Sequence, residues 1–290
     1  MLTQTPTRPA LRYHGGKWLL APWILQHFPK HRIYCELFGG GGSILLRKQR
    51  SYSEVYNDLD SEIVGYFKVL RDPEQAARLR ELIALTPFAR EELAEAYLVT
   101  DDPIERARRL MVRSFQGFGS DAHNSANRTG FRSNSNRTTP AQEWAHMPPA
   151  IAQLSERMRG VTVENRDYAA IVGQHDGPQT LFYADPPYLH ETRSGNGTQH
   201  TRRYRHEFTE ADHRRMAEVL RGAAARDGEH QADPAQQPEQ GTCRRPSTEE
   251  HLHGLDPCAP RRRSGRCRRQ RRHRSTRSSS GSRPTRSMIR

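Results

Sequence analysis

The chain has 290 residues, with 46 Lys plus Arg against 33 Asp plus Glu, and only 34% of it is hydrophobic. The excess charge is local: residues 221–290 hold 17 Arg, no Lys and 7 acids, whereas the first 220 hold 29 basic and 26 acidic residues. Those last seventy residues contain no Phe, Tyr, Trp or Val and a single Ile, too little apolar surface to offset the entropy of folding, which excludes a second packed domain there.

No apolar run approaches the ~18 residues of a membrane helix, and the N-terminus MLTQTPTRPA lacks the apolar segment of a secretion signal. A cytoplasmic protein with no membrane contact is expected. Cys35 stands alone, and Cys243, Cys258 and Cys267 have spacings that fit no usual zinc pattern, so no metal site is expected either.

The first seventy residues alternate in the α/β manner. A basic, Gly-containing segment, Tyr13-His14-Gly15-Gly16-Lys17, precedes a predicted helix from about Trp18 to His27 and an apolar strand from Ile33 to Phe38. A four-glycine turn follows, then a helix from Ser43, a strand from Glu54 to Asn57, and a helix carrying Ile63, Tyr66, Phe67 and Leu70 at helical spacing. Strand, helix, strand, helix at this length predicts a parallel sheet.

From about Pro73 to Gly160 the pattern is helical. Thr86 and Asp102 each precede a proline and read as N-caps, and Asp102 with Glu105 has capping-box spacing. Residues 116–140 form a long polar loop rich in Asn, Ser, Gly and Arg, a length that is usually functional or disordered. A further amphipathic helix with Ile151, Leu154 and Met158 stops at Gly160. The α/β pattern then resumes with a strand at 161–164, a short helix after Asp167, and a strand from Leu181 to Ala184 that runs into Asp185-Pro186-Pro187-Tyr188. A last helix starts near Thr209, with Thr209 and Asp212 at capping-box spacing, and ends near Gly222; the strand that should follow is missing.

Three motifs carry chemistry. The turn Phe38-Gly39-Gly40-Gly41-Gly42 sits between strand and helix, where glycine lets backbone approach a ligand or simply makes a turn. Asp58 lies at the end of the next strand, placed to accept both hydroxyls of a ribose or to cap the following helix. In the tetrad at 185–188 the prolines remove two backbone donors and stiffen the chain. Asp185 and the Pro186 carbonyl can then both present acceptors to one amino group, beside the stacking ring of Tyr188.

Taken in order, these segments resemble the Dam-like (D12) class of DNA adenine N6-methyltransferases over about residues 11–220. The resemblance rests on Tyr13 to Lys17, Glu36 to Gly42, Asn57-Asp58, Asp167-Tyr168 and Asp185 to Tyr188. The Glu36-Leu37-Phe38 version looks like phage and prophage members. It implies an α/β, Rossmann-like class I methyltransferase sheet with a helical target-recognition insert at 73–160, the catalytic domain being 1–72 plus 161–221.

S-adenosylmethionine is the implied cofactor, and double-stranded DNA the partner of a monomeric, nucleoid-associated enzyme. Tyr13, Gly16, Lys17, Glu36, Phe38, Gly39, Gly40 and Gly41 would surround the methionine part of the cofactor, Asp58 the ribose, and Asp167 with Tyr168 the adenine. Asp185, Pro186, Pro187 and Tyr188 would form the catalytic tetrad. Arg113, Arg128, Arg132, Asn134 and Arg137, with Asn124, Asn127 and Asn136, would meet DNA.

Two readings compete with adenine methylation: an N4-cytosine methyltransferase, in which Ser more often stands at position 185, and an inactive DNA-binding remnant. The segment after 222 departs from the family, which continues with a strand and a hairpin. A shift of reading frame near 222 in a GC-rich gene would account for its Arg, Pro, Ala, Gly and Ser enrichment; the rival is a genuine basic tail that adds nonspecific DNA affinity.

Overall fold

The computed structural model describes residues 5–120, 122–126, 128–133, 139–189 and 204–230, the last of these with side chains through Ala223. All belong to a compact unit spanning Met1–Gln236; the second unit, Gln237–Arg290, lies outside the described residues.

Four strands form a parallel sheet: β1 (Ile33–Glu36), β2 (Ser53–Asn57), β3 (Thr162–Glu164) and β4 (Thr180–Tyr183), in the order β3-β2-β1-β4. Alternate side chains of the central strands go to opposite faces, as the period of a strand requires. On one face Tyr34 and Tyr56 join the core built by α2 (Ser43–Arg47), α3 (Ser61–Arg71), α4 (Pro73–Leu85), α6 (Pro103–Gln116) and α8 (Met147–Met158). On the other, Cys35, Leu37 and Val55 pack against α9 (Tyr168–His175) and α10 (Glu210–His230). Three short helices complete the described set: α1 (Ala21–Leu25), α5 (Arg90–Glu95) and α7 (Pro140–Ala145). The helices of the 73–160 stretch share one core with the sheet, since Leu79, Leu110 and Ile151 pack in the same cluster as Tyr34 and Tyr56.

Local chemistry sets most boundaries. Asp102 accepts from the Ile104 and Glu105 amides and so caps α6, a contribution of about 1 kcal/mol. Glu105 does not close the box; its carboxylate binds Arg108 and Arg109 instead. Thr86 is not an N-cap. α4 runs on to Leu85, so Thr86 ends that helix with its hydroxyl donating to the Leu82 carbonyl. Thr209 and Asp212 do form a reciprocal box at the start of α10. That helix continues to His230 rather than ending near Gly222.

The short α2 is held at one peptide from two sides: the Leu45 amide donates to Glu36 at 2.8 Å, and the Leu45 carbonyl accepts from Arg157 at 2.5 Å. Arg157 also forks onto Glu54, which receives Lys48 at 2.6 Å. Burial alone would raise the Glu54 carboxyl, but Arg157 and Lys48 outweigh it and hold it below the usual range. This ionic cluster fixes α2 and with it the end of the glycine turn that precedes it.

β4 is the exception in the sheet. No described strand pairs with its outer edge, and all four of its residues remain half-buried, whereas Tyr34, Cys35, Val55 and Tyr56 of the inner strands are fully buried. Unpaired edges of this kind are normally covered or blunted.

Candidate active site

The C-terminal ends of β1, β2 and β4 open onto a cavity of about 480 Å³, within the range of small-molecule sites. Asp58 after β2 and Asp185 after β4 both line it, with Gly40 from the turn after β1 between them in the sheet order. Phe38, Tyr168 and Phe208 supply an aromatic side, with ring centroids 5.4 Å apart for Phe38–Tyr168 and for Phe38–Phe208. A smaller adjoining cavity is lined by Gly16, Lys17, Glu36, Gly39, Gly41 and Pro186 and shares Asp185 with the larger one.

The glycine turn is first a packing requirement. A Cβ on Gly39 would lie 2.1 Å from the Tyr56 ring. Gly40, at φ +47, would meet the Tyr13 ring at 2.6 Å. Two aromatic rings therefore occupy the space that side chains would take, and the bare backbone of Gly40 reaches the cavity.

Asp58 is fixed by that backbone. One carboxylate oxygen accepts from the Gly40 amide at 2.8 Å and the other from the Asp60 amide at 2.8 Å. Asp60, not Asp58, caps α3, accepting from Glu62. Burial pushes the Asp58 carboxyl up, against the two amides that favour its charge. Burial likewise pushes Glu36 up to about 8, although Tyr34 and Leu45 both donate to it.

Lys17 reaches across the smaller cavity to Asp185 at 2.6 Å and also donates to the Gly15 carbonyl at 2.8 Å. Burial lowers the affinity of this ammonium for its proton, but Asp185 and Tyr188 more than compensate and hold it above the ordinary lysine value. Lys17 lies 4.9 Å from the centre of the Tyr188 ring, which is 43% exposed. Asp167 caps α9 through the Ala169 amide, and both its oxygens are held by Arg215 at 3.0 Å, a partner the sequence did not point to. Arg215 also lies over Tyr168.

The stretch expected to meet DNA differs from expectation in two places. Arg113 is not in the polar loop: it belongs to the last turn of α6, is buried, and spends its donors on Glu62, the Ala96 carbonyl and the His123 carbonyl. Asn124 is also buried, its carbonyl turned onto the Ala126 amide. Arg128 is exposed over the Tyr97 ring, and Arg132 pairs with Glu143 at 2.7 Å. Asn127, Asn134, Asn136 and Arg137 lie outside the described residues. The loop closes on itself through Phe118 to Gly130 and Arg132 to Gln116 backbone bonds. Phe118, unremarked in the sequence, stands 70% exposed beside that closure; an aromatic side chain within the polar loop was the available signal.

Among the described residues no helix is long and apolar enough to cross a membrane. Residues 13–232 match the family described as D12 class N6 adenine-specific DNA methyltransferase. The match runs about ten residues past the position where the sequence seemed to leave the family. Curated relatives include a DNA adenine methylase of Escherichia coli (strain K12), 24% identical over 225 residues, covering 76% of this chain and 77% of that protein. A DNA adenine methylase of Salmonella typhi is 25% identical over 66% of this chain and 68% of its own length. The type II methyltransferase M1.LlaDCHI of Lactococcus lactis subsp. cremoris is 27% identical over 67% of this chain and 70% of its length. With a family match that takes in most of the chain, and an acidic turn and a glycine turn meeting at one cavity, this protein belongs to the D12 class of N6 adenine-specific DNA methyltransferases.

Proposed function

We propose that the cavity holds S-adenosylmethionine and that Asp185 to Tyr188 receive the target adenine of double-stranded DNA. What carries this reading is that Asp58 and Asp185, at the ends of two different strands, line one cavity beside Gly40. The donor set fits the cofactor: fixed carboxylates at Asp58 and Asp60 suit ribose hydroxyls, and Phe38, Tyr168 and Phe208 offer ring surface to its adenine. When bound, the cofactor supplies a methyl group activated by a sulfonium.

In this reading the chain's own residues align and stabilise. Asp185 and the Pro186 carbonyl accept from the N6 amino group of adenine. As the nitrogen gains positive charge, acceptors already aimed at it stabilise that charge more than they stabilise the neutral base. Lys17 holds the Asp185 carboxylate in one orientation, with an ion pair that needs no rearrangement at the moment of transfer. A base inside a duplex is out of reach, so it must leave the stack. The exposed Tyr188 ring offers it a surface, and Phe118 offers an apolar side chain to the gap it leaves.

The test is direct. Purified chain is incubated with duplex DNA and methyl-labelled S-adenosylmethionine, and the DNA is digested to nucleosides. Label in N6-methyladenine is expected; label in N4-methylcytosine, or none, refutes the reading.

A further inference from the structure

We propose that Arg205 and Glu62 are positioning residues that couple residues 122–126 of the polar loop to the cofactor cavity, so that cofactor and DNA bind cooperatively. This rests on the site assignment above.

Arg205 belongs to the segment 204–208, which forms one wall of the larger cavity. Its guanidinium donates to Glu62 at 2.5 Å and to the Ser125 hydroxyl at 3.1 Å, and lies 3.5 Å from Asp60. Ser125 is in the polar loop. The other oxygen of Glu62 is taken by the buried Arg113, which donates in turn to the His123 carbonyl of the same loop at 3.2 Å. Toward the cavity, the Asp60 carboxylate accepts from the Glu62 amide, while the Asp60 backbone amide donates to the Asp58 carboxylate, which also accepts from the Gly40 amide. An unbroken series of polar contacts therefore joins Gly40 in the cavity to Ser125 and His123 in the loop. A second link runs parallel to it: the Tyr13 ring, in the cavity wall, packs on the His123 ring at 4.3 Å.

The two arginines on Glu62 have different consequences. Arg113 is buried, so removing its partner would leave an uncompensated charge inside the protein. The Arg205 side chain is about one-third exposed, and pairs of that kind add little stability. What Arg205 does is fix the wall segment and the loop to the same carboxylate. A ligand that orders the wall then orders the loop, and by linkage DNA on the loop favours the ligand by the same factor.

The experiment measures the affinity of the full chain for a short adenine-containing duplex with and without saturating S-adenosylhomocysteine, the demethylated cofactor, and the converse affinity with and without duplex. In the unaltered protein each ligand is expected to tighten the other about fivefold or more. In Arg205→Gln the factor should fall below about twofold while the thermal midpoint stays within a few degrees of the parent. Glu62→Gln should lose the coupling too and, unlike Arg205→Gln, melt earlier because Arg113 is left unpaired. Binding of both ligands with no mutual effect in the parent, or with an undiminished factor in Arg205→Gln, overturns the inference alone. Failure of the parent to bind S-adenosylhomocysteine at all overturns the site assignment beneath it.

Discussion

Lys17 and Asp185, 168 residues apart in the chain, meet at 2.6 Å where β4 ends. The pair joins the N-terminal glycine segment to the acidic turn, with the Asp185 side chain only partly exposed. Replacing Asp185 with Asn keeps the size of the side chain and removes the charge proposed to face the amino group. Methyl transfer should fall by about 10²–10³-fold, the cost of losing one preorganised partner of a developing charge. Retention of DNA on a filter should persist; equal loss of both would argue against the catalytic role. Lys17→Gln should reduce the rate less, because it disturbs the orientation of Asp185 and not the acceptor itself.

Glu36 gives a prediction in pH. Its folded-state carboxyl sits near 8 because it is buried, while in the unfolded chain it titrates in the ordinary glutamate range. As pH rises from about 5 to about 8, the unfolded chain releases this proton and the folded protein keeps it, so stability is lost over that window. The slope from this group is at most about 1.4 kcal/mol per pH unit. Glu36→Gln preserves an acceptor for Leu45 and Tyr34 but cannot titrate. Its thermal midpoint should therefore gain on the parent as pH rises from about 5 to about 8 and run parallel above that. A constant difference across the range would show that Glu36 is ionised in the fold.

The periodic parts of the chain were legible from sequence because their causes are local. Short apolar runs between helices placed all four strands, and Asp102 before Pro103 and Thr209 with Asp212 placed the starts of α6 and α10. Misreadings arose where two local signals competed. Thr86-Pro87 has the form of a cap, but the helix before it had not yet ended. Arg113 sits near a polar loop, yet the apolar face of α6 runs to Phe115 and carries the arginine inward. Asp58 offered ribose binding or capping, and only the fold shows the cap passing to Asp60. Partners such as Arg215 for Asp167 or Arg205 for Glu62 join residues 48 and 143 positions apart. No local pattern encodes such meetings.

The open edge of β4 bears on the reading of the C-terminal segment. The family match ends at 232 and α10 at His230, so a change of reading frame is to be sought between about residues 222 and 232. If the reading frame shifts there, translating the other two frames downstream should reveal an apolar strand followed by a hairpin, able to cover the Leu181 to Tyr183 edge. Protein made from the restored frame should then be more stable and more active than the chain as written, as judged by thermal melts and initial rates. If neither frame contains such a segment, the frameshift reading fails and its rival, a genuine basic tail that adds nonspecific DNA affinity, is the one to test by the salt dependence of DNA binding.

Arg113 and Arg128 separate fold from recognition. Arg113 is buried and donates to Glu62 and to the Ala96 and His123 carbonyls, so Arg113→Ala leaves Glu62 with Arg205 alone and strips two carbonyls of their donor, and should cost about 3 kcal/mol of stability or more. Arg128 is exposed over Tyr97 in the polar loop, so Arg128→Ala should leave the melting curve in place. It should instead weaken DNA binding, and if the contact is to a phosphate the slope of log affinity against log salt should shrink by about 1 whatever the duplex sequence. A loss confined to particular duplexes would mean that Arg128 reads a base edge. An unaltered melt for Arg113→Ala with weakened DNA binding would return that residue to the DNA interface and refute the structural role assigned to its pair with Glu62.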